Sequence, residues 1–252
     1  MHYRVSKGML FFPDPKKELS LLVPKIKKAR VPAFVTIPLA QHQGAEAVPV
    51  VKIGGQVCTG TKIAEADGPC SAPVHSSVSG IVRAIEMFPH PFLGTARAIQ
   101  IESDGNDTAD PAIQPREDWT PGRDELFALI HDLGIVGMGN LRGEPAHRKL
   151  ASRPEDPVRR MILNGVEAEP YVTCDYVLMM DRALDIVHAA KILKQALSLE
   201  KICLAVGEDK LEALETVRSK LFSLGQNFLE VVAVPSGMPQ GEESLLARTV
   251  FP

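Results

Sequence analysis

The spacing of the apolar residues changes once along this 252-residue chain, and that change restricts the fold more than any other feature. Up to about residue 102 the apolar positions come in short alternating runs: PVVKIGGQV (49–57), TKIAEA (61–66), GIVRAIE (80–86) and RAIQIES (97–103). Alternation puts one face of a strand in a core and the other in water, so this part reads as an all-β unit. Beyond residue 123 the period lengthens. RDELFALIHDLG (123–134) sets Leu126, Leu129, Ile130 and Leu133 on one helical face and stops at Gly134. Residues 177–197 carry Leu184, Val187, Leu193 and Leu197 at helical spacing, and 209–225 carry Leu211, Leu214, Val217, Leu221 and Leu224. MILNG (161–165), KICLAVG (201–207) and FLEVVAVP (228–235) are short apolar runs around these helices. Strand alternating with helix predicts a parallel sheet, whose ligands bind at the carboxyl ends of the strands. The loops after Gly165, Gly207 and Pro235 are therefore where chemistry is expected.

The two regimes meet in SDGNDTADPAIQPREDWTPG (103–122), rich in Asp, Pro and Gly and too polar to bury much surface. The expected organisation is an α+β two-domain chain: residues 1–102 as a β domain with an N-terminal extension, 103–122 as a linker, and 123–252 as a Rossmann-like α/β domain with a parallel sheet. Trp119 in the linker either pins the loop to the body or offers a docking contact. Within the β part, KIGGQVCTGTKIAEADG and SAPVHSSVSGIVRAIE look like two halves of one hairpin pattern, which resembles the barrel-sandwich hybrid fold of biotinyl and lipoyl carrier domains. Those carriers place a Lys at the hairpin tip. Here the tip reads Glu65, Ala66, Asp67, Gly68, Pro69, and Lys62 lies in the strand before it, so no biotin or lipoate attachment is expected.

Composition excludes several classes of function. A net charge of −3 with 5% aromatic residues gives no basic, ring-studded face for nucleic acid. No window approaches the ~18 apolar residues of a membrane span, and MHYRVSKGML does not read as a signal peptide. The basic run KIKKAR (25–30) reads as a solvated turn. Cys58, Cys70, Cys174 and Cys203 are too scattered for a zinc site or an iron–sulfur cluster, so no metal site is expected and any clusters fed by this protein lie on another chain.

Three loops concentrate Gly and acid. GIVGMGNLRGEPAHRKL (134–150) offers backbone N–H groups at Gly137, Gly139 and Gly143, with Lys149 or Arg148 adding charge, as a phosphate would require; it also reads as a helix cap followed by an irregular connection. NGVEAEPYVTCD (164–175) crowds Glu167, Glu169 and Asp175 after a strand, where carboxylates accept from ribityl or ribose hydroxyls or simply meet water. VGEDK (206–210) presents Glu208 and Asp209 at a helix start, Asp209 being a good N-cap.

In this order, IPLAQHQGAEAVPVVKIGGQVCTGTKIAEADG, SAPVHSSVSGIV, GIVGMG, ILNGVEAEPYVTCDYVLMM, AVGEDKLEAL and MPQGEESLL resemble the C subunit of the Rnf electron-transport complex, over roughly residues 34–246. The second half also looks like the flavin-binding subunit of respiratory complex I. The resemblance implies FMN held by the Gly-rich and acidic loops, NADH stacked on it, and electrons passed singly to iron–sulfur centres. Carried over by position, it implies cofactor-binding roles for Gly137, Gly139, Gly143, Lys149, Asn164, Glu167, Glu169 and Glu208. It also implies partners in a membrane-bound redox complex, an iron–sulfur protein among them, and a cytoplasmic location on the inner face of the membrane through those partners.

The chain departs from the family pattern G-x-G-G-x-G-F-P-T-x-x-K in GMGNLRGEPAHRK. Asn140 replaces a Gly, a residue is inserted near Leu141 or Arg142, Glu144 stands in the aromatic position and Ala146 replaces Thr. Ala168 stands for a Cys of many members, and the later motif shortens to Pro239, Gln240, Gly241, Glu242. A carboxylate at 144 repels phosphate unless turned away. Two readings follow: an electron-input module, or a degenerate, cofactor-free docking subunit. The chain also stops at Pro252, before the family's cysteine-rich segment, as a fragment of a longer subunit would.

Overall fold

A computed structural model describes residues 26–114, 116, 119–137, 143–151, 157–167, 169, 172–237 and 239–252. The chain packs into two units, residues 29–155 and residues 156–252 with 26–28.

In the first unit, strands β1 (Phe34–Pro38), β2 (Val48–Pro49), β3 (Gln56–Val57), β4 (Lys62–Glu65), β5 (Val74–His75), β6 (Gly80–His90) and β7 (Gly94–Ser103) form two antiparallel sheets, ordered β1-β7-β6-β3 and β2-β4-β5. Inward residues of both sheets make one core of Ile37, Leu39, Val57, Ile63, Val74, Val82, Ile99 and Ile101, as in a barrel-sandwich hybrid. Helices α1 (Arg123–Asp132) and α2 (Ala146–Leu150) follow.

The packing boundary near residue 155 falls later than the composition change at 103–122. The polar stretch is strapped to the β sheets by its own acids. Ser79 donates to Asp104 at 2.7 Å and Thr59 to Asp107 at 3.0 Å, and Thr61 donates to Asp110. Trp119 donates to Glu125 at 2.9 Å, pinning the stretch to the first turn of α1. Beyond it, Asp132 pairs with Lys62 of β4, and Gly134, at φ +63°, lies so close to the Pro73 carbonyl that a Cβ would overlap it.

The second unit is a three-stranded parallel sheet, β10-β9-β8, made of β8 (Arg160–Gly165), β9 (Lys201–Gly207) and β10 (Leu229–Val234). These strands match the expected runs to within a residue. Helices α3 (Cys174–Asp181), α4 (Ala183–Ala196) and α5 (Leu211–Ser223) pack with Ile202, Leu204 and Val206 in one core. Helix α6 (Glu243–Val250) packs Leu246 and Val250 with Cys203, Ala205, Val232 and Val234 in another. The stretch expected as one helix over 177–197 is two helices broken at Arg182. Leu184, expected inside, is exposed, because the inward positions are Ala183, Val187 and Ala190. Leu211 and Leu224 are also exposed, lying at the first residue of α5 and beyond its last.

Candidate functional site

In the parallel sheet the pairing Asn164↔Ala205, Gly165↔Val206 and Val234↔Gly207 brings the three carboxyl ends level, so their loops leave from one edge. Side chains tie these loops together. Ser236 donates to the Asp209 carboxylate and accepts from the Asp209 N–H at 3.0 Å, joining the loops after β9 and β10. Asp209 is thus a loop clamp and not the expected N-cap; α5 begins with no side-chain cap. Asn164 donates to the Gly241 carbonyl at 3.0 Å, and its Oδ1 accepts from the Val166 N–H at 3.1 Å.

Glu167 uses one oxygen to accept from the N–H groups of Asp175 and Tyr176, at 2.7 and 3.0 Å, answering two of the open donors at the start of α3. Glu169 and Glu208 are exposed at the same edge. Burial, and then the charge of Glu169, holds the Asp175 carboxyl above its usual range. Glu167, Cys174 and Asp175 bring ligand atoms within 4.8 Å of one another, a grouping the sequence spacing did not show. Cys174 and Asp175 also line an open cavity of about 610 Å³ with Val172, Val177 and Leu178.

Lys210 belongs to no motif that marks it in the sequence. Its residue is 3% exposed, and among the described residues its ammonium makes no hydrogen bond. A carboxylate oxygen of Asp209 lies 3.7 Å away, and the ammonium lies 5.1 Å from the centre of the Tyr176 ring. Tyr176 in turn donates its hydroxyl to Glu212 at 3.0 Å, and burial followed by Glu212 raises its phenol. A buried ammonium without a hydrogen-bonded oxygen is a strong donor held ready. VGEDK alone marks a lysine at a helix start and carries no sign of its burial.

In the unit 29–155, Gly137 and Gly143 form the neck of the Gly-rich loop. Gly137 donates to the Glu144 carbonyl at 2.8 Å, and a Cβ on Gly143 would overlap the Gly137 carbonyl. The β sheets hold this neck: Gln43 donates its N–H to the Gly143 carbonyl at 2.9 Å, and His42 bridges to Gly143. Fully buried His42 accepts from the Ala72 N–H at 3.0 Å and lies 3.1 Å from the Ser71 hydroxyl, just past the hairpin tip. No motif singled out His42 or Gln43. Lys149 is exposed on α2. The guanidinium of Arg148 lies 3.9 Å from Glu144 and donates to Cys70, so the misplaced carboxylate at 144 has a counter-charge. Gly139, Asn140, Leu141 and Arg142 lie outside the described residues, as do Ala168 and Pro170.

Residues 7–106 match the RnfC barrel sandwich hybrid domain, and residues 130–251 match the Nuo51 FMN-binding domain. The two matches together give an RnfC-type domain followed by a Nuo51-type domain. The C subunit of the proton-translocating ferredoxin:NAD(+) oxidoreductase complex of Clostridium ljungdahlii is 37% identical over 239 residues, covering 94% of this chain and 51% of that protein. The C subunit of the Na(+)-translocating complex of Acetobacterium woodii is 36% identical over 241 residues, 94% of this chain and 53% of that one. The chain therefore spans about half the length of these curated relatives. A chain of an NAD+-reducing [NiFe]-hydrogenase aligns over 51% of this chain and 23% of its own length, at 25% identity and a TM-score of 0.44. The RnfC-type domain is thus the antiparallel β sandwich, and the Nuo51-type domain contains the parallel sheet and its acidic edge.

Proposed function

We propose that this chain is the electron-input part of an Rnf-like complex, binding FMN and NADH and passing electrons to iron–sulfur centres on a partner polypeptide. The observation that carries the reading is the acidic edge: a domain of the FMN-binding family presents Asn164, Glu167, Glu169 and Glu208 at the carboxyl ends of a parallel sheet, with Lys210 buried beside them. When bound, FMN would supply the redox chemistry that links a two-electron hydride donor to one-electron acceptors. The donor set suits it. Exposed carboxylates of Glu169 and Glu208 can accept from ribityl or ribose hydroxyls, and the ammonium of Lys210, which has no hydrogen-bonded oxygen among the described residues, suits an anionic or carbonyl oxygen. In the other unit, the glycine neck and Lys149 are groups of the kind that take phosphate. Glu144 is drawn toward Arg148, which reduces its repulsion of a phosphate.

The names of the relatives extend the proposal to partners and place. The chain would dock on other subunits of a membrane redox complex, on the cytoplasmic face; no helix among the described residues is long and apolar enough to cross a membrane. One observation favours the second reading, a cofactor-free docking subunit: Asn164 and Glu167 already make hydrogen bonds within the fold. Anaerobic addition of NADH to the FMN-supplied chain separates the two. Loss of the visible flavin absorbance at a rate proportional to protein is expected. A folded chain that leaves the flavin oxidised contradicts the electron-input reading.

A further inference from the structure

The β6–β7 ribbon outruns its sheet. Neighbouring strand pairing on β7 ends with Pro38↔Ala98 and the Leu39 N–H on Arg97, and β3 meets β6 only at Ile81 and Gly80. Among the described residues, the pairs Phe88↔Ala96, Pro89↔Thr95 and His90↔Gly94 therefore stand as a two-stranded projection.

Its end is apolar and uncharged. Met87 is 61% exposed, Phe92 56% and Leu93 45%, and from Met87 to Ala96 there is no Asp, Glu, Lys or Arg. Arg97 at the base is paired with Glu46 at 2.7 Å, and Glu86 at the base is exposed. The turn also has its donors answered from within. Pro91 has no N–H, and those of Phe92 and Leu93 donate to Nδ1 of the buried His90, at 3.1 and 3.2 Å. Water makes such internal pairing unnecessary, whereas hydrocarbon penalises every unanswered N–H.

We propose that this hairpin tip inserts into the apolar layer of a lipid bilayer with neutral, zwitterionic headgroups. A protein pocket fits the tip less well. Protein interfaces carry about one hydrogen bond per 100–200 Å², and the exposed side chains from Met87 to Leu93 offer no donor and only the weakly accepting sulfur of Met87. An anionic membrane surface would select clustered Lys and Arg, where this tip has only a paired Arg97 and an exposed Glu86. Insertion of the tip does not depend on flavin binding.

Flotation of the full chain with phosphatidylcholine vesicles, at low and high salt, tests it. The expected result is a floated fraction that is insensitive to salt and falls about tenfold when Phe92→Ser and Leu93→Ser remove apolar surface. Phe222→Ser, which removes an 87% exposed Phe from α5, is expected to leave flotation unchanged. A Phe92→Trp chain gives a reading that does not need the double variant to fold: its emission shifts to the blue on adding vesicles. No flotation, flotation abolished by salt, equal loss in Phe222→Ser, an unshifted Phe92→Trp emission, or self-association through the tip in place of flotation would each overturn the proposal.

Discussion

Gly143 matters for the side chain it lacks. Its backbone lies against the Gly137 carbonyl, so Gly143→Ala must force the neck of the Gly-rich loop open, away from Gln43 and His42. The expected cost is about 1–3 kcal/mol of stability together with loss of any FMN affinity, measured by denaturant unfolding and flavin titration. The thiols differ just as sharply. Cys203 is fully buried, and desolvation pushes its thiol up to about 11, whereas Cys70 and Cys174 are exposed. A thiol-reactive dye at neutral pH should therefore label Cys70 and Cys174 in the folded chain and reach Cys203 only on unfolding. Asp175 makes a pH prediction. Its carboxyl is raised above 3.8 by burial and by Glu169, so the folded chain holds that proton more tightly than the unfolded chain does. Stability from this group is full below the ordinary value and is lost as pH rises through the raised one. Asp175→Asn should then melt higher than the wild type at neutral pH and alike near pH 3, as followed by circular dichroism.

Among the elements, α3 and the turn before α5 are joined by Lys210 lying over Tyr176, and α3 in turn anchors Glu167. If the ammonium serves a ligand, replacing it with an apolar side chain of similar length should spare the fold. Lys210→Met is expected to change stability by less than about 1 kcal/mol while weakening FMN binding roughly tenfold; loss of stability without loss of affinity would make Lys210 structural. The elements also differ in how far the sequence discloses them. β8, β9 and β10 were legible because apolar runs ending at Gly or Pro have few alternatives. The break at Arg182 was not, because buried Tyr176, Met179, Ala183, Val187 and Ala190 keep one helical period through it. β6 was read to Glu86 but runs to His90; Pro89 is tolerated there because, among the described residues, no third strand needs its missing N–H. The acidic loop was legible from its place after a strand. Lys210 and His42 were not, because burial is set by tertiary packing that leaves no local pattern.

At the scale of the whole molecule, the residues assigned to a flavin are divided between two units. Gly137, Gly143 and Lys149 belong to 29–155, whereas Asn164, Glu167, Glu169 and Glu208 belong to 156–252. The fold classes of both halves followed from periodicity; the polar stretch expected as a linker at 103–122 lies where one family match ends at 106 and the next begins at 130, while packing groups it with the β sheets up to about 155. The acids of that stretch bond to Ser79, Thr59 and Thr61, partners far away in sequence, and so read as solvated. Electron input through this chain requires that it hold FMN. The most direct test is titration of FMN into the purified chain, followed by quenching of flavin fluorescence, with Glu169→Ala and Lys149→Ala alongside. Saturable quenching at one FMN per chain, weakened about tenfold or more by either substitution, is predicted. A folded wild-type chain that leaves flavin fluorescence unchanged, or binding indifferent to both substitutions, would contradict it.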